Sequence, residues 1–253
     1  MFINLKTPVI IGHRGASLHA PENTLAAFRL AIKQKADAIE FDVKLTSDQE
    51  VVVIHDPTVD RTTINGHGQV SRMTLSELKQ LDAGSRFSSE YKGERIPTLA
   101  EVFDQVGKQI PMNIELTNYT TPGDALVDKV VELIKRKDME DHIYFSSFLS
   151  RNLRQARSLL PGCGIGYLTY GGIAGIAQKI FQGTPPGINS INPSRQAVSR
   201  KLVESEHRNK RRVLVYTVNN QEEMRELFNL GVDGIFTDDP LTGKMIASEY
   251  RGM

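Results

Sequence analysis

GHRGASLHAPENT, Gly12 to Thr24, follows a short apolar run, Pro8 to Ile11, and precedes the helical pattern LAAFRLAIKQK that begins at Leu25. A strand that ends in His13-Arg14-Gly15 presents at one point a titratable ring, a fixed cation and a flexible backbone hinge. Those are the groups needed to hold and cleave a phosphate ester. Taken alone, the motif also describes a structural histidine with a surface ion pair between Arg14 and Glu22. What turns it toward chemistry is that groups of the same kind stand at the ends of later expected strands. They are Glu40 and Asp42 in IEFDV, His55 and Asp56 in VVVIHD, and Asn113 and Glu115 in MNIEL.

Outward from this stretch the chain alternates. Asn23 or Thr24 caps the first helix, whose apolar positions include Leu25, Phe28 and Ile32. The second strand, Ala38 to Val43, carries Glu40 and Asp42 two residues apart, so both leave the same face, which in a barrel is the interior. Residues 44–97 interrupt the beat with a short strand, Val51 to Ile54, turn signals at Asn65-Gly66 and Gly68, a helix cued by TLSEL and the loop DAGSRFSSEYKGERIP. Such an excursion at the carboxyl end of a strand would shape a pocket. The beat resumes with helix Thr98 to Val106 and strand Pro111 to Leu116. Further strands are expected at His142 to Ser146, Gly164 to Leu168, Gly187 to Ile191, Val213 to Thr217 and Asp233 to Phe236. With the strand at Val51 left to the excursion, eight strands alternate with helices. The expected fold is an α/β class (β/α)8 TIM barrel, one domain over residues 1–253 with an insertion at about 44–97 between the second strand and second helix, and a site at the carboxyl face. No solenoid repeat or low-complexity linker is present.

Bulk properties exclude more than they assign. A hydrophobic share of 40% with 24% charged residues suits a globular chain that buries a proper core. Net charge is +1 and no block of five or six like charges occurs, so nucleic acid is not an expected partner. The basic run Lys210 to Arg212 reads as a solvated helix end. The single cysteine, Cys163, forms no internal disulfide, which fits a reducing compartment. MFINLKT leads straight into the first strand without a signal peptide's apolar stretch, and no run approaches the ~18 apolar residues of a membrane span. For a complete chain the expected location is the cytoplasm. No apolar helix suited to inserting into a surface stands out, and no stable membrane association is expected.

Three carboxylates, Glu40, Asp42 and Glu115, come from two strands adjacent in the expected order. Clustered without a counterion they would repel, so a divalent cation explains them economically, and oxygen ligands favour Mg2+ or Ca2+ over zinc. The plainer alternative is that each pairs separately with Arg or Lys. Cleaving a phosphodiester requires one proton removed from the nucleophile and one delivered to the leaving alkoxide, and His13 with His55 can divide that work. His19, His67, His142 and His207 lie in expected loops or helix ends and read as structural or solvated. Arg14 offers a planar donor fork to phosphate oxygens, Asn113 shares the inward face with Glu115, and Glu22 reads as a partner of Arg14.

The order HRG, PENT, ExD, HD and NIEL, followed by SSF at Ser146 to Phe148, VYTVN at Val215 to Asn219 and GVDGIFTDDP at Gly231 to Pro240, resembles the glycerophosphodiester phosphodiesterase family over nearly the whole chain. The resemblance implies hydrolysis of a small-molecule glycerophosphodiester to sn-glycerol 3-phosphate and an alcohol. It implies a Mg2+ or Ca2+ cofactor on Glu40, Asp42 and Glu115, His13 and His55 as the proposed acid and base, and an insertion at the place of residues 44–97. Either the glycerol hydroxyl vicinal to the ester attacks first, giving a cyclic phosphate, or water attacks directly. Two alternatives stand beside it: a relative acting on lysophospholipids or phosphoinositides by similar chemistry, and a barrel that binds a phosphodiester without turnover. Two positions depart from the family. Tyr216 stands where Trp is common, and Thr117 stands where a NIEIK pattern would place Lys against phosphate. Thr117 continues the face of Asn113 and Glu115, while Lys44 shares the parity of Glu40 and Asp42 and offers a replacement cation. The expected substrate-binding set is therefore Arg14, Asn113, Thr117 and Lys44.

Overall fold

The structure, a computed structural model, describes residues 2–251. Its strands are β1 (Val9–His13), β2 (Ala38–Leu45), β3 (Val51–Val53), β4 (Met112–Leu116), β5 (Ile143–Ser147), β6 (Gly164–Thr169), β7 (Ser190–Pro193), β8 (Arg212–Val215) and β9 (Gly234–Thr237). Between them run α1 (Leu25–Lys33), α2 (Leu75–Leu78), α3 (Leu99–Val106), α4 (Leu126–Arg136), α5 (Ser150–Leu159), α6 (Gly172–Gln182), α7 (Arg200–Arg208) and α8 (Gln221–Leu230), and α9 (Pro240–Ser248) follows the last strand. The sheet order is β1-β9-β8-β7-β6-β5-β4-β2, and a further β1 to β2 pairing closes it. All of these pairings are parallel, so eight strands make a closed TIM barrel, and β3 is an antiparallel addition to β2.

The period-2 pattern of the strands sorts side chains between two cores. Val9, Ile11, Ala38, Tyr144, Leu214 and Phe236 fill the barrel interior, and Phe2 stacks on Tyr144 with ring centroids 4.4 Å apart. The alternate residues, among them Ile10, Ile39, Phe41, Ile114, Phe145 and Ile165, face the helices and join Phe28, Leu99, Val130 and Leu227 in the larger core. Between β2 and α3 a separate cluster of Val52, Ile54, Val59, Val70, Leu78, Ala83 and Ile96 holds the long segment together. Register then sets the site: His13 lies beside Glu40 across β1 and β2, and Glu40 and Asp42 lie beside Asn113 and Glu115 across β2 and β4.

Several boundaries differ from expectation for local reasons. Thr24 caps α1, its hydroxyl accepting from the Ala27 N–H, whereas Asn23 sits at φ 58 and turns its side chain to the barrel. The seventh strand starts at Ser190, because Pro185 and Pro186 supply no ladder donors and Gly187 turns at φ 69. His142 ends a short 3-10 turn, Glu140–His142, ahead of β5. Of the basic run only Lys210 is a solvated helix end, since Arg211 pairs with Glu206 at 2.6 Å and Arg212 opens β8.

Among the described residues no helix is long and apolar enough to cross a membrane. The expectation that no apolar surface helix exists is nevertheless corrected at α6. Its buried residues are Gly175 and Gln178, and its isoleucines point outward.

Candidate active site

Glu40 and Asp42 are buried on β2, and Glu115 on β4 is partly exposed although protein surrounds it. One ligand oxygen from each lies within 4.8 Å of the others. Burial first, then the charges of Asp42 and Glu115, push the Glu40 carboxyl well above its ordinary range. Burial and Asp42 push Glu115 up to about 8, although the hydroxyl of Tyr119 and the charge of Arg14 oppose them. Their partners leave room. Glu40 Oε2 accepts from the Arg14 N–H at 3.0 Å, while its Oε1 is buried with no hydrogen-bond partner. Asp42 Oδ2 accepts from Asn23 Nδ2 at 2.9 Å and Glu115 Oε1 accepts from the Tyr119 hydroxyl at 2.7 Å. Asn113 donates Nδ2 to Ser146 at 2.9 Å and keeps a buried, unpartnered Oδ1. An all-oxygen donor set with two orphaned buried acceptors fits a hard divalent cation, which Glu40, Asp42 and Glu115 could hold.

Both histidines are held by aspartates. His13 Nδ1 lies 2.7 Å from Asp238 Oδ1, and His55 Nδ1 lies 2.7 Å from Asp56 Oδ1. In each pair the carboxylate keeps the proton on Nδ1 and leaves Nε2 to exchange protons with a ligand. Asp238 is itself fixed by Ser17 Oγ at 3.0 Å and Asn219 Nδ2 at 2.6 Å. Burial would raise its carboxyl, but the His13 contact and these two donors hold it down at about 2. Asp56 is held at about 2 chiefly by hydrogen bonds from Arg61, with burial opposing and His55 adding to the effect.

The HRG turn brings the cation in. Arg14 adopts φ 55 and Gly15 φ 88, and a Cβ on Gly15 would meet the Ala27 carbonyl carbon at 2.7 Å, so only glycine lets the turn press against α1. Arg14 Nη1 donates to Glu22 Oε1 at 2.8 Å, and its Nε, which has no hydrogen-bond partner, lies 3.5 Å from Asp42 Oδ2. Glu22 also accepts two bonds from Arg61, each 2.7 Å, so one carboxylate links both guanidinium groups.

Lys44 and Thr117 meet. Lys44 Nζ donates to the Thr117 carbonyl at 2.7 Å and to its hydroxyl at 3.0 Å, and that hydroxyl donates in turn to the Val43 carbonyl at 2.8 Å. The Thr117 proton is thus committed to backbone, and the cation beside it belongs to Lys44. Burial lowers the Lys44 ammonium, against the pull of Asp42 and Glu115.

One side of the mouth is aromatic. Phe148 stacks on Tyr170 at 4.4 Å and meets Tyr119 and Tyr216 edge-on at 5.8 and 5.7 Å. Tyr216 anchors itself by donating to the Thr169 carbonyl at 3.0 Å. Another side is a groove lined by Ser17, Glu22, Arg61, Arg86 and Phe87. Of the other histidines, His19, His67 and His207 pair with Asp239, Asp60 and Asp233, and none of the four joins the carboxylate cluster.

Sequence reasoning missed Asn23, Arg61, Tyr119, Asn219 and Asp238. The signal for three of them was present, because Asn23, Asn219 and Asp238 stand inside the motifs PENT, VYTVN and TDDP. Arg61 and Tyr119 lie in irregular backbone, where periodicity carries no information.

The sequence profile of the Glycerophosphoryl diester phosphodiesterase family matches residues 13–242. A glycerophosphodiester phosphodiesterase of Caldanaerobacter subterraneus subsp. tengcongensis is 40% identical over 235 residues, covering 92% of this chain and 95% of its own. One from Bacillus altitudinis is 35% identical over 246 residues, with 96% and 99% covered. Among solved structures, a phosphodiesterase of Oleispira antarctica in complex with the product sn-glycerol-3-phosphate superposes with a TM-score of 0.85 at 31% identity, covering 96% of this chain and 97% of that one.

Proposed function

Since the chain belongs to the glycerophosphoryl diester phosphodiesterase family and is an enzyme of that family, we propose that it hydrolyses water-soluble glycerophosphodiesters to sn-glycerol 3-phosphate and an alcohol, by two-histidine proton transfer at a cation-binding carboxylate cluster. One observation carries the reading. Glu40, Asp42 and Glu115 converge with orphaned buried oxygens beside two histidines, each held at Nδ1 by an aspartate. The product held by the Oleispira relative supports sn-glycerol 3-phosphate as the product here.

Glu40, Asp42 and Glu115 would hold Mg2+ or Ca2+, with Asn113 Oδ1 facing the same space. When bound, the cation supplies charge neutralisation at the phosphoryl oxygens. Arg14 and Lys44 add fixed positive charge for the phosphate, and Glu22 keeps the Arg14 fork from swinging away. One histidine accepts through Nε2 the proton of the attacking oxygen, which belongs either to water or to the vicinal glycerol hydroxyl, whose attack gives a cyclic phosphate that water then opens to sn-glycerol 3-phosphate. The other delivers a proton to the head-group alkoxide as its bond to phosphorus breaks. Asp238 and Asp56 keep both rings oriented and stabilise each imidazolium as it forms. The segment 44–97 supplies His55, Asp56 and Arg61, which supports its reading as an insertion within one domain.

Product analysis tests this directly, with glycerophosphocholine and glycerophosphoethanolamine as substrates before and after dialysis against EDTA. sn-Glycerol 3-phosphate should appear, cease after chelation and return with Mg2+ or Ca2+. The same ions should raise the melting temperature of wild type and raise that of Glu115→Gln much less. Full turnover in excess EDTA would remove the cation from the reading, and no product from either substrate would remove the reaction.

A further inference from the structure

Helix α6 is built inside out. Its inner side carries Gly175, where a Cβ would strike the Tyr170 carbonyl oxygen at 2.1 Å, and buried Gln178. Gln178 donates to the carbonyls of Phe148 at 3.0 Å and Leu168 at 2.8 Å and accepts from the Tyr170 N–H at 3.2 Å. Gln182, at the helix end, accepts from Ser150. These partners stand at the carboxyl ends of β5 and β6 and the start of α5, so α6 lies across the rim of the barrel mouth. The outer side carries Ile173, Ile176, Ile180 and Phe181, which are 86%, 61%, 72% and 86% exposed. At 3.6 residues per turn, positions 173, 176 and 180 form one stripe. Tyr170, stacked on Phe148, joins that stripe to the aromatic wall of the site.

Charge supplies the second observation. From His142 to Val203 the chain contains no Asp or Glu, yet it carries Arg151, Arg154, Arg157, Lys179, Arg195, Arg200 and Lys201. The absence stands out in a protein whose 31 basic and 30 acidic residues otherwise balance. Arg151, Arg154, Lys179, Arg200 and Lys201 are exposed, and none has a carboxylate within 4.0 Å among the described residues. No long run of like charges marks this stretch, because its cations are dispersed over some fifty residues.

We propose that α6 is a peripheral membrane-docking element, lying in the interface of an anionic lipid bilayer with Ile173, Ile176, Ile180 and Phe181 among the acyl chains and the basic residues of α5, α6 and α7 on the headgroups. An apolar face rimmed by cations is the pattern that binds such interfaces. Self-association answers the same apolar face less well, since a two-fold contact would set Lys179 and its neighbours against their own copies with no acidic residue of the segment to meet them. Docked this way, the barrel mouth opens at the lipid surface. The association is reversible and salt-sensitive, because one short helix carries it.

Flotation of the full chain with phosphatidylcholine vesicles and with equimolar phosphatidylcholine and phosphatidylglycerol vesicles tests the proposal. Wild type should float with the anionic vesicles at low salt, much less with the neutral ones, and should be released by added salt. The pair Ile176→Ser and Ile180→Ser should weaken partitioning about tenfold or more, and so should the pair Arg151→Glu and Lys179→Glu. Both variants should retain the wild-type melting temperature, which separates lost docking from lost fold. Failure of wild type to float with anionic vesicles, or undiminished flotation of the isoleucine variant, would overturn it. So would a dimer in sedimentation equilibrium that the isoleucine substitutions dissolve while vesicles bind nothing, which would make this face a contact between copies.

Discussion

His13 and His55 share an arrangement that neither sequence neighbourhood spells out. Each has Nδ1 on an aspartate at 2.7 Å, yet one aspartate is the next residue and the other lies 225 residues away. Each ring thus keeps Nδ1 on a carboxylate and is left with Nε2 for the proton transfers proposed above. Replacing either by Ala should lower kcat by about a hundred- to ten-thousand-fold, with binding of a substrate analogue far less affected in a direct titration. Lys44 and Thr117 form the second residue-scale case. Because the Thr117 hydroxyl is committed to the Val43 carbonyl, we propose that the Lys44 ammonium supplies phosphate affinity on this side. Thr117→Lys should lower KM for glycerophosphodiesters, and Lys44→Ala should damage wild type more than it damages the Thr117→Lys variant. Kinetics of the two single mutants and the double mutant give the coupling directly. Strict additivity with an unchanged KM would assign phosphate binding to Arg14 and the cation alone.

Among the elements, α3 shows how the long segment between β2 and the next helix is returned to the barrel. Thr98 and Glu101 form a reciprocal cap, the hydroxyl accepting from the Glu101 N–H at 3.1 Å and the carboxylate accepting from the Thr98 N–H at 2.7 Å. The same carboxylate meets Lys79, whose ammonium also donates to the Ile96 carbonyl at 2.9 Å. One capping box therefore ties the helix start to the segment that supplies His55 and Arg61. Thr98→Ala should cost about 0.5–2 kcal/mol in urea unfolding while leaving kcat for glycerophosphocholine near the wild-type value.

For the molecule as a whole, the two depressed aspartates make stability depend on acid. Asp238 and Asp56 are held at about 2, against 3.8 for an unperturbed carboxyl. The folded state therefore binds these protons more weakly than the unfolded chain does. Their contribution is fully present above the unfolded value and is lost as pH falls from near 4 toward 2. Urea midpoints measured across that window should fall for wild type and fall less steeply for Asp238→Asn. The carboxylate cluster runs the other way in the absence of a cation, since burial and mutual repulsion favour its protonated form. A divalent cation held by this cluster, as proposed above, would therefore stabilise the fold.

Local pattern alone determined the alternation of strands and helices, the barrel class, the shared inward face of Glu40 with Asp42, and the position of His13 at a strand end, because period and strand-end position are properties of neighbouring residues. Only the tertiary structure decided what those strand ends meet. Asp238 reaches His13 because barrel closure sets β9 beside β1. Lys44 reaches Thr117 because β2 pairs with β4 across the excursion. The stripe at Ile173, Ile176 and Ile180 did not stand out in the sequence, because its spacing is the same whether that face is buried or bare. Packing decided it: Gly175 and Gln178 take the inner side, because the rim offers backbone carbonyls that a glutamine can satisfy and an aliphatic side chain cannot.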